Sequence, residues 1–298
     1  MNQQKFKNYY SEQLEKFESY LKNSFPKVPK HVSILEKSAK YSLLAGGKRI
    51  RPILLLTVIE SSGQKSDFGL PFAAAIEYIH TYSLIHDDLP SIDNDELRRG
   101  KPTNHVQFGE AIALLAGDAL LTHSFYLISS VCSSEITGDA IQRIIKILSG
   151  NAGIFGMVSG QVADITEHPD SDPKETLQFI HSHKTGALIT ASIQIGAVLA
   201  HLDENAFKNL THFGEEIGKC FQIQDDILDI TGTKEKLGKN PGTDEKNQTL
   251  TYPSLYGLET SKKLANDSYQ LAISNLSQLE INTDMLRYLA DFILKRQY

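Results

Sequence analysis

The sequence predicts an all-α protein folded as one large domain over residues 1–298, on three observations. Apolar residues recur at helical spacing through most of the chain. Strand signals are scarce: no hairpin dipeptide stands between alternating apolar runs, and no βαβ spacing is visible. Glycine and proline fall in clusters between the periodic stretches, with no linker that would cut the chain and no internal repeat. The composition, 41% hydrophobic and 22% charged over 298 residues, suits a globular protein with a sizeable core.

The elements follow in order. The polar, amphipathic stretch 4–22 reads as a helix and, lacking an apolar centre, not as a signal peptide. Helices are expected over 31–44 and 52–61, the second opened by Pro52 at a first-turn position that tolerates it. Between 68 and 86, Phe72, Ala75, Ile76, Ile79, Tyr82, Leu84 and Ile85 recur close to a 3.6 period. The run 111–131 is apolar on most faces and reads as a central helix covered on all sides. Periodic patterns over 139–149, 174–182, 185–200, 203–230, 253–279 and 283–296 complete the set. The longest irregular stretch, 231–248, is rich in Gly and Lys, as lids often are.

The chain shows no run of about 18 apolar residues, so no membrane span is expected. Cys132 and Cys220 lie far apart in apolar contexts and imply no disulfide framework, so a cytoplasmic setting is expected. A net charge of -6 argues against a nucleic-acid partner.

Two acidic clusters carry the chemistry. Asp87, Asp88 and Asp93 end one apolar helix; Asp225, Asp226 and Asp229 lie within another, among Cys220, Phe221, Ile223, Ile227, Leu228 and Ile230. Asp225 and Asp229, four apart, share a helix face. Crowded carboxylates in a cleft must take up protons or bind cations, and hard oxygen donors suit magnesium bridged to phosphates. Either cluster alone could be surface decoration; two, each in an apolar helix, are harder to dismiss. The ligand ladder of an EF-hand is absent. A glycosidase would need two carboxylates rather than six with cations nearby.

The cations are Lys48, Arg49 and Arg51 after Gly46 and Gly47, then Arg98 and Arg99, Lys184 and Lys239. Glycines admit close approach of an anion, and arginine offers a planar fork to phosphate. Each alone could be a solvated surface charge. His80 lies two turns before Asp87 on roughly the same face. No G-x-S-x-G, no Cys–His pattern and no metal-type Cys/His spacing appears. That favours chemistry in which the substrate carries its own leaving group.

The motifs "GGKRIRP" (46–52), "EYIHTYSLIHDDLPSIDNDELRRGKPTNH" (77–105), "GDALL" (117–121), "GQVADI" (160–165), "KTGALI" (184–189), "FQIQDDILDITG" (221–232) and "LGKNPGTD" (237–244) together resemble the trans-prenyltransferases, in the family's order. The resemblance implies an isoprenoid synthase type fold, helices around a central cavity, and a homodimer. It implies two aspartate motifs that hold about three Mg2+ ions on an allylic diphosphate: Asp87, Asp88 and Asp93, with Asp225, Asp226 and Asp229. By the same resemblance, Arg98, Lys184, Thr185, Gln222 and Lys239 hold the allylic diphosphate. Lys48, Arg51, His80 and Arg99 hold that of isopentenyl diphosphate, and Gln161 and Asp164 support the pocket near Lys184. Catalysis would rest on Asp87, Asp88, Asp93, Arg98, Lys184, Asp225 and Asp226. One departure is Thr249, where the family commonly has lysine; Lys246 stands three residues earlier.

Tyr82 and Ser83, five and four residues before Asp87, are placed to floor the tunnel for the growing chain. With the four residues between Asp88 and Asp93 they resemble the family's bacterial farnesyl pattern, and that resemblance implies a fifteen-carbon product from dimethylallyl or geranyl diphosphate. A geranylgeranyl or longer-chain synthase, a terpene cyclase and an inactive regulatory subunit are the alternatives. Intact acids argue against the last two. Finally, Asp87 and Asp93 would lie about 120° apart on a straight helix. Pro90 disfavours a helical Leu89, so a kink over 88–92 is expected to swing Asp93 back toward Asp87.

Overall fold

The computed structural model describes residues 3–132, 136–232 and 250–296. The chain packs as two compact units, Met1–Leu56 with Lys65–Ile145, and Thr57–Gln64 with Lys146–Tyr298. Among the described residues both are helical apart from one two-stranded hairpin.

In the first unit, α1 (Gln3–Ser24) and α2 (Ser33–Leu43) precede α3 (Ile50–Ser61), whose last residues belong to the second unit. The next helix, α4 (Leu70–Asp87), is the organising element. Pro71 sits in its first turn, where a missing N–H costs nothing. Phe72, Ile76 and Ile79 are fully buried, each stabilising the unit by about 1.5–3 kcal/mol. α4 packs on α1, on α2 and most extensively on α6.

The hairpin of β1 (Leu97–Arg98) and β2 (Lys101–Pro102) follows. Its turn residues Arg99 (φ 53) and Gly100 (φ 73) are both left-handed, as a tight two-residue turn requires. Arg-Gly is not a common dipeptide for such a turn, so no strand signal is visible there in the sequence. The short α5 (Asn104–Phe108) leads into α6 (Glu110–Ser129) and then α7 (Gly138–Ala152).

One expectation fails at α6. It is not covered on all sides: Leu114, Leu115 and Tyr126 are exposed, while Ala113, Ala116, Gly117, Leu120, Ser124 and Ile128 are buried. It is also long and apolar enough, by length and composition, to cross a bilayer, with 33% of its most apolar window buried. Apolarity all round made both faces look alike in sequence; only one has neighbours.

In the second unit, α8 (Met157–Ile165), absent from the predicted set, precedes α9 (Pro173–Ile180). A π-helical turn, His181–Gly186, joins α9 to α10 (Ala187–Leu199) without a break, where the sequence predicts two separate helices. α11 (Glu204–Thr231) is capped by the Asp203 side chain, which accepts from the Ala206 amide at 2.7 Å. Leu210, Phe213, Ile217, Cys220 and Ile223 form its fully buried stripe. The predicted helix over 253–279 is two: α12 (Tyr252–Tyr256) and α13 (Leu258–Leu276), broken at Gly257 with φ 77. α14 (Asp284–Lys295) closes the unit.

Candidate active site

In the first unit, α4 stops at Asp87 and the chain turns back at once. The Ile92 and Asn94 amides donate to the Leu89 carbonyl, and the Asp93 amide donates to the Asp87 carbonyl at 2.9 Å. The expected kink is present, and it brings Asp93 to the end of α4. Asp87 is half-buried and Asp93 exposed. Asp88 is different: it is 3% exposed, and Arg98 grips both its oxygens, Nε at 2.7 and 3.0 Å and Nη2 at 2.6 Å. The hairpin positions this fork, since Arg98 ends β1.

An anion-binding face lies on the same unit. Gly46 (φ 84) and Gly47 (φ 137) coil the loop before α3, and a Cβ at Gly47 would stand 3.0 Å from the Arg99 guanidinium. Arg99 donates from Nη1 to the Gly46 carbonyl. Lys48 and Arg51, both half-buried, flank this loop. Burial, then the charges of Arg51, Arg99, Arg49 and Arg98, hold His80 well below its usual pKa. The positive charge felt at His80 suits an anionic ligand such as a diphosphate. Tyr82 is 7% exposed, edge-on to the His86 ring at 5.6 Å. Ser83 is half-buried, its hydroxyl donating to the His80 carbonyl.

In the second unit, Asp225 is half-exposed, with 48% of its side-chain surface open, whereas Asp226 and Asp229 are buried. Both Asp226 oxygens are occupied, Oδ1 by Gln222 Nε2 at 3.0 Å and Oδ2 by the Tyr252 amide at 2.9 Å. Gln222 therefore orients Asp226. Arg296 donates to Asp225 Oδ1 at 2.7 Å and to the Phe221 carbonyl at 2.6 Å, and lies 3.8 Å from the Phe221 ring centroid.

Lys184 and Thr185 sit on the π-helical turn, a feature that often marks functional sites. Lys184 Nζ donates to Asp164 Oδ2 at 2.6 Å, so α8 and the turn meet through the expected pair. Gln161, one turn before Asp164, has both amide atoms enclosed without a partner. Burial, then Lys184, lowers the His181 pKa to about 3. Lys239, Lys246 and Thr249 lie outside the described residues.

Sequence reasoning passed over Arg49 as a site residue, and also His181, Tyr252 and Arg296. Nothing in a one-dimensional pattern says that a loop arginine points inward or that a terminal arginine folds back onto an acid. Among the described residues no three potential ligand side chains converge into a cage. The solvent-reaching carboxylates of Asp87 and Asp93 in the first unit, and that of Asp225 in the second, are each of the kind that suits an ion keeping water and substrate oxygens in its shell.

The polyprenyl synthetase family model matches residues 32–286. The chain belongs to the polyprenyl synthetase family. It is 45% identical over 264 residues to a farnesyl diphosphate synthase of Geobacillus stearothermophilus, covering 89% of each chain. It is 44% identical to a geranylgeranyl diphosphate synthase of Cyanophora paradoxa, covering 97% of this chain and 95% of that one. A Helicobacter pylori geranyltransferase, solved with magnesium and isoprenyl diphosphate, superposes with a TM-score of 0.84 at 38% identity, over 96% of this chain and 95% of that one. The all-α isoprenoid synthase fold is thus the family's own.

Proposed function

We propose that the chain catalyses the magnesium-dependent head-to-tail condensation of isopentenyl diphosphate with dimethylallyl or geranyl diphosphate, giving farnesyl diphosphate and diphosphate. The observation that carries this reading is that Asp87 at the end of α4 and Asp93, folded back onto it, lie about 10 Å along the helix from His80, which feels the charges of Arg51 and Arg99. Oxygen donors for hard cations and guanidiniums for a diphosphate thus lie on one unit. Farnesyl synthases among the relatives support the fifteen-carbon product. The Cyanophora relative keeps the twenty-carbon product as the second reading.

Bound magnesium would neutralise diphosphate charge, and Asp87, Asp93 and Asp225 are the residues that would hold it, with Asp88, Asp226 and Asp229 behind them. Arg98, Lys184, Thr185, Gln222 and Lys239 bind the allylic diphosphate and stabilise it as it leaves. Lys48, Arg51, His80 and Arg99 hold the isopentenyl diphosphate so that its double bond faces the allylic C1. The C1–O bond breaks with its electrons on the diphosphate, and the alkene electrons form the new C–C bond. A proton leaves the resulting cation to the departed diphosphate, in a pocket that excludes water.

One domain over 1–298 fits the family match, which runs across both units. A homodimer fits the exposed apolar face of α6. A cytoplasmic setting fits the free thiols of Cys132 and Cys220. The test is one incubation with magnesium, isopentenyl diphosphate and a series of allylic diphosphates, with products read by mass spectrometry. Farnesyl diphosphate as the dominant product supports the reading; no condensation with any starter refutes it.

A further inference from the structure

We propose that Arg49 is the positioning residue of the isopentenyl diphosphate subsite: a buried strut that holds the 44–50 loop so that Lys48 and Arg51 face the ligand. The inference rests on the reading of Lys48 and Arg51 as diphosphate ligands. It concerns a residue that touches no substrate.

Lys48, Arg49 and Arg51 look alike in sequence, and the fold separates them. Arg49 is 4% exposed while its two neighbours in the basic run are half-buried. Its guanidinium bonds in three directions. Nε donates to Glu18 Oε1 on α1 at 2.8 Å, Nη1 to Glu77 Oε1 on α4 at 2.5 Å, and Nη2 to the Leu43 carbonyl at the end of α2 at 2.8 Å. Glu77 is itself 2% exposed, so the pair is enclosed. Burial opposes the charge of Arg49, and the two carboxylates outweigh it, raising the pKa above the usual arginine value. One side chain thus ties three helices to the loop.

The loop backbone needs such a tie. Arg49 itself has φ 50, a left-handed conformation that a residue with a Cβ adopts at a cost, directly after Gly46 and Gly47. Left to local preference, the loop would relax. Two weaker fastenings share the load: Tyr10 Oη donates to the Lys48 carbonyl, and Arg99 to that of Gly46. Arg49 reaches the buried face. Because Lys48 precedes it and Arg51 follows by two residues, fixing its direction fixes theirs. Lysine, with its donors on a single nitrogen, cannot span the three acceptors that the three nitrogens of this planar fork reach.

The test uses the full chain with a saturating allylic diphosphate and varied isopentenyl diphosphate. Arg49→Lys keeps the charge; the double variant Arg49→Met with Glu77→Leu removes the pair without stranding a buried carboxylate. Lys48→Ala and Arg51→Ala are the controls. The expected result is a KM for isopentenyl diphosphate raised about tenfold or more in both Arg49 variants, with kcat and the allylic KM within about threefold. Amide exchange across 44–50 should rise in parallel. A purely structural role would lower active enzyme without splitting the two KM values. The inference is overturned if the double variant keeps its KM within about twofold while both controls raise it. Should that variant not accumulate, Arg49→Lys decides by the same criterion. If the controls leave KM unchanged, the reading of the loop as a diphosphate site falls, and the inference with it.

Discussion

Asp88 and Asp226 each follow an acid more open to solvent than themselves, and each has both oxygens engaged by protein: Asp88 by Arg98, Asp226 by Gln222 and the Tyr252 amide. In each doubled acid the second residue is a fixed strut beside a neighbour that reaches solvent. Asp87→Ala and Asp225→Ala should each lower turnover by about two orders of magnitude or more and raise the magnesium needed for half-maximal rate. Normal turnover in either would refute the metal roles. His80 gives a pH prediction. Its folded pKa is depressed, so the unfolded chain takes up this proton first as pH falls. The stability it contributes is present above about pH 6.5 and is lost below it. Urea titrations of the ligand-free protein between pH 7 and pH 5 should show a shallower acid loss in His80→Gln than in the parent. At Tyr82, burial and the nearby Asp87 charge raise the phenol to about 12, so it stays an uncharged wall. Tyr82→Ala should move product toward twenty carbons, and an unchanged spectrum would remove its floor role.

The element that decides most is the π-helical turn His181–Gly186. Two glycines set it from opposite sides: a Cβ at Gly160 on α8 would overlap the Lys184 backbone, and one at Gly218 on α11 would stand 2.9 Å from Gly186 Cα. Backbone here packs on backbone, so a methyl group cannot be absorbed by a side-chain rotation. Gly218→Ala should displace Lys184 and Thr185 and cut kcat/KM for the allylic diphosphate by about tenfold or more, with far-ultraviolet circular dichroism unchanged. Parent-like kinetics would show that the turn tolerates the shift. The periodicity over 174–182 and 185–200 predicts two helices but could not reveal the π-turn that joins them, because a π-turn alters hydrogen bonding without altering composition.

At the scale of the whole molecule, the exposed face of α6 asks for a partner. Leu114, Leu115 and Tyr126 lie open at 46%, 54% and 62% of their full exposure, on a helix otherwise apolar enough to be a core element. A second copy of the chain, as in the proposed homodimer, would cover such a face without a lipid. If the proposed homodimer uses this face, Leu115→Glu should shift sedimentation from dimer toward monomer, and a parent-like sedimentation coefficient would refute an interface here. Detergent-free solubility of the parent would separate this from membrane insertion.

The sequence by itself determined the helical class, the two acidic clusters and the kink after Asp87. Each follows from local rules: apolar period, like-charge repulsion, and the steric effect of Pro90 on Leu89. Only the tertiary structure decided which acid in each cluster is open, which arginine of "GGKRIRP" turns inward, and which face of α6 is bare. Those outcomes depend on residues distant in sequence: Arg98 for Asp88, Tyr252 for Asp226, and Glu18 with Glu77 for Arg49. The direction of a side chain is set by the partner that satisfies it, and that partner is named only once the chain has folded.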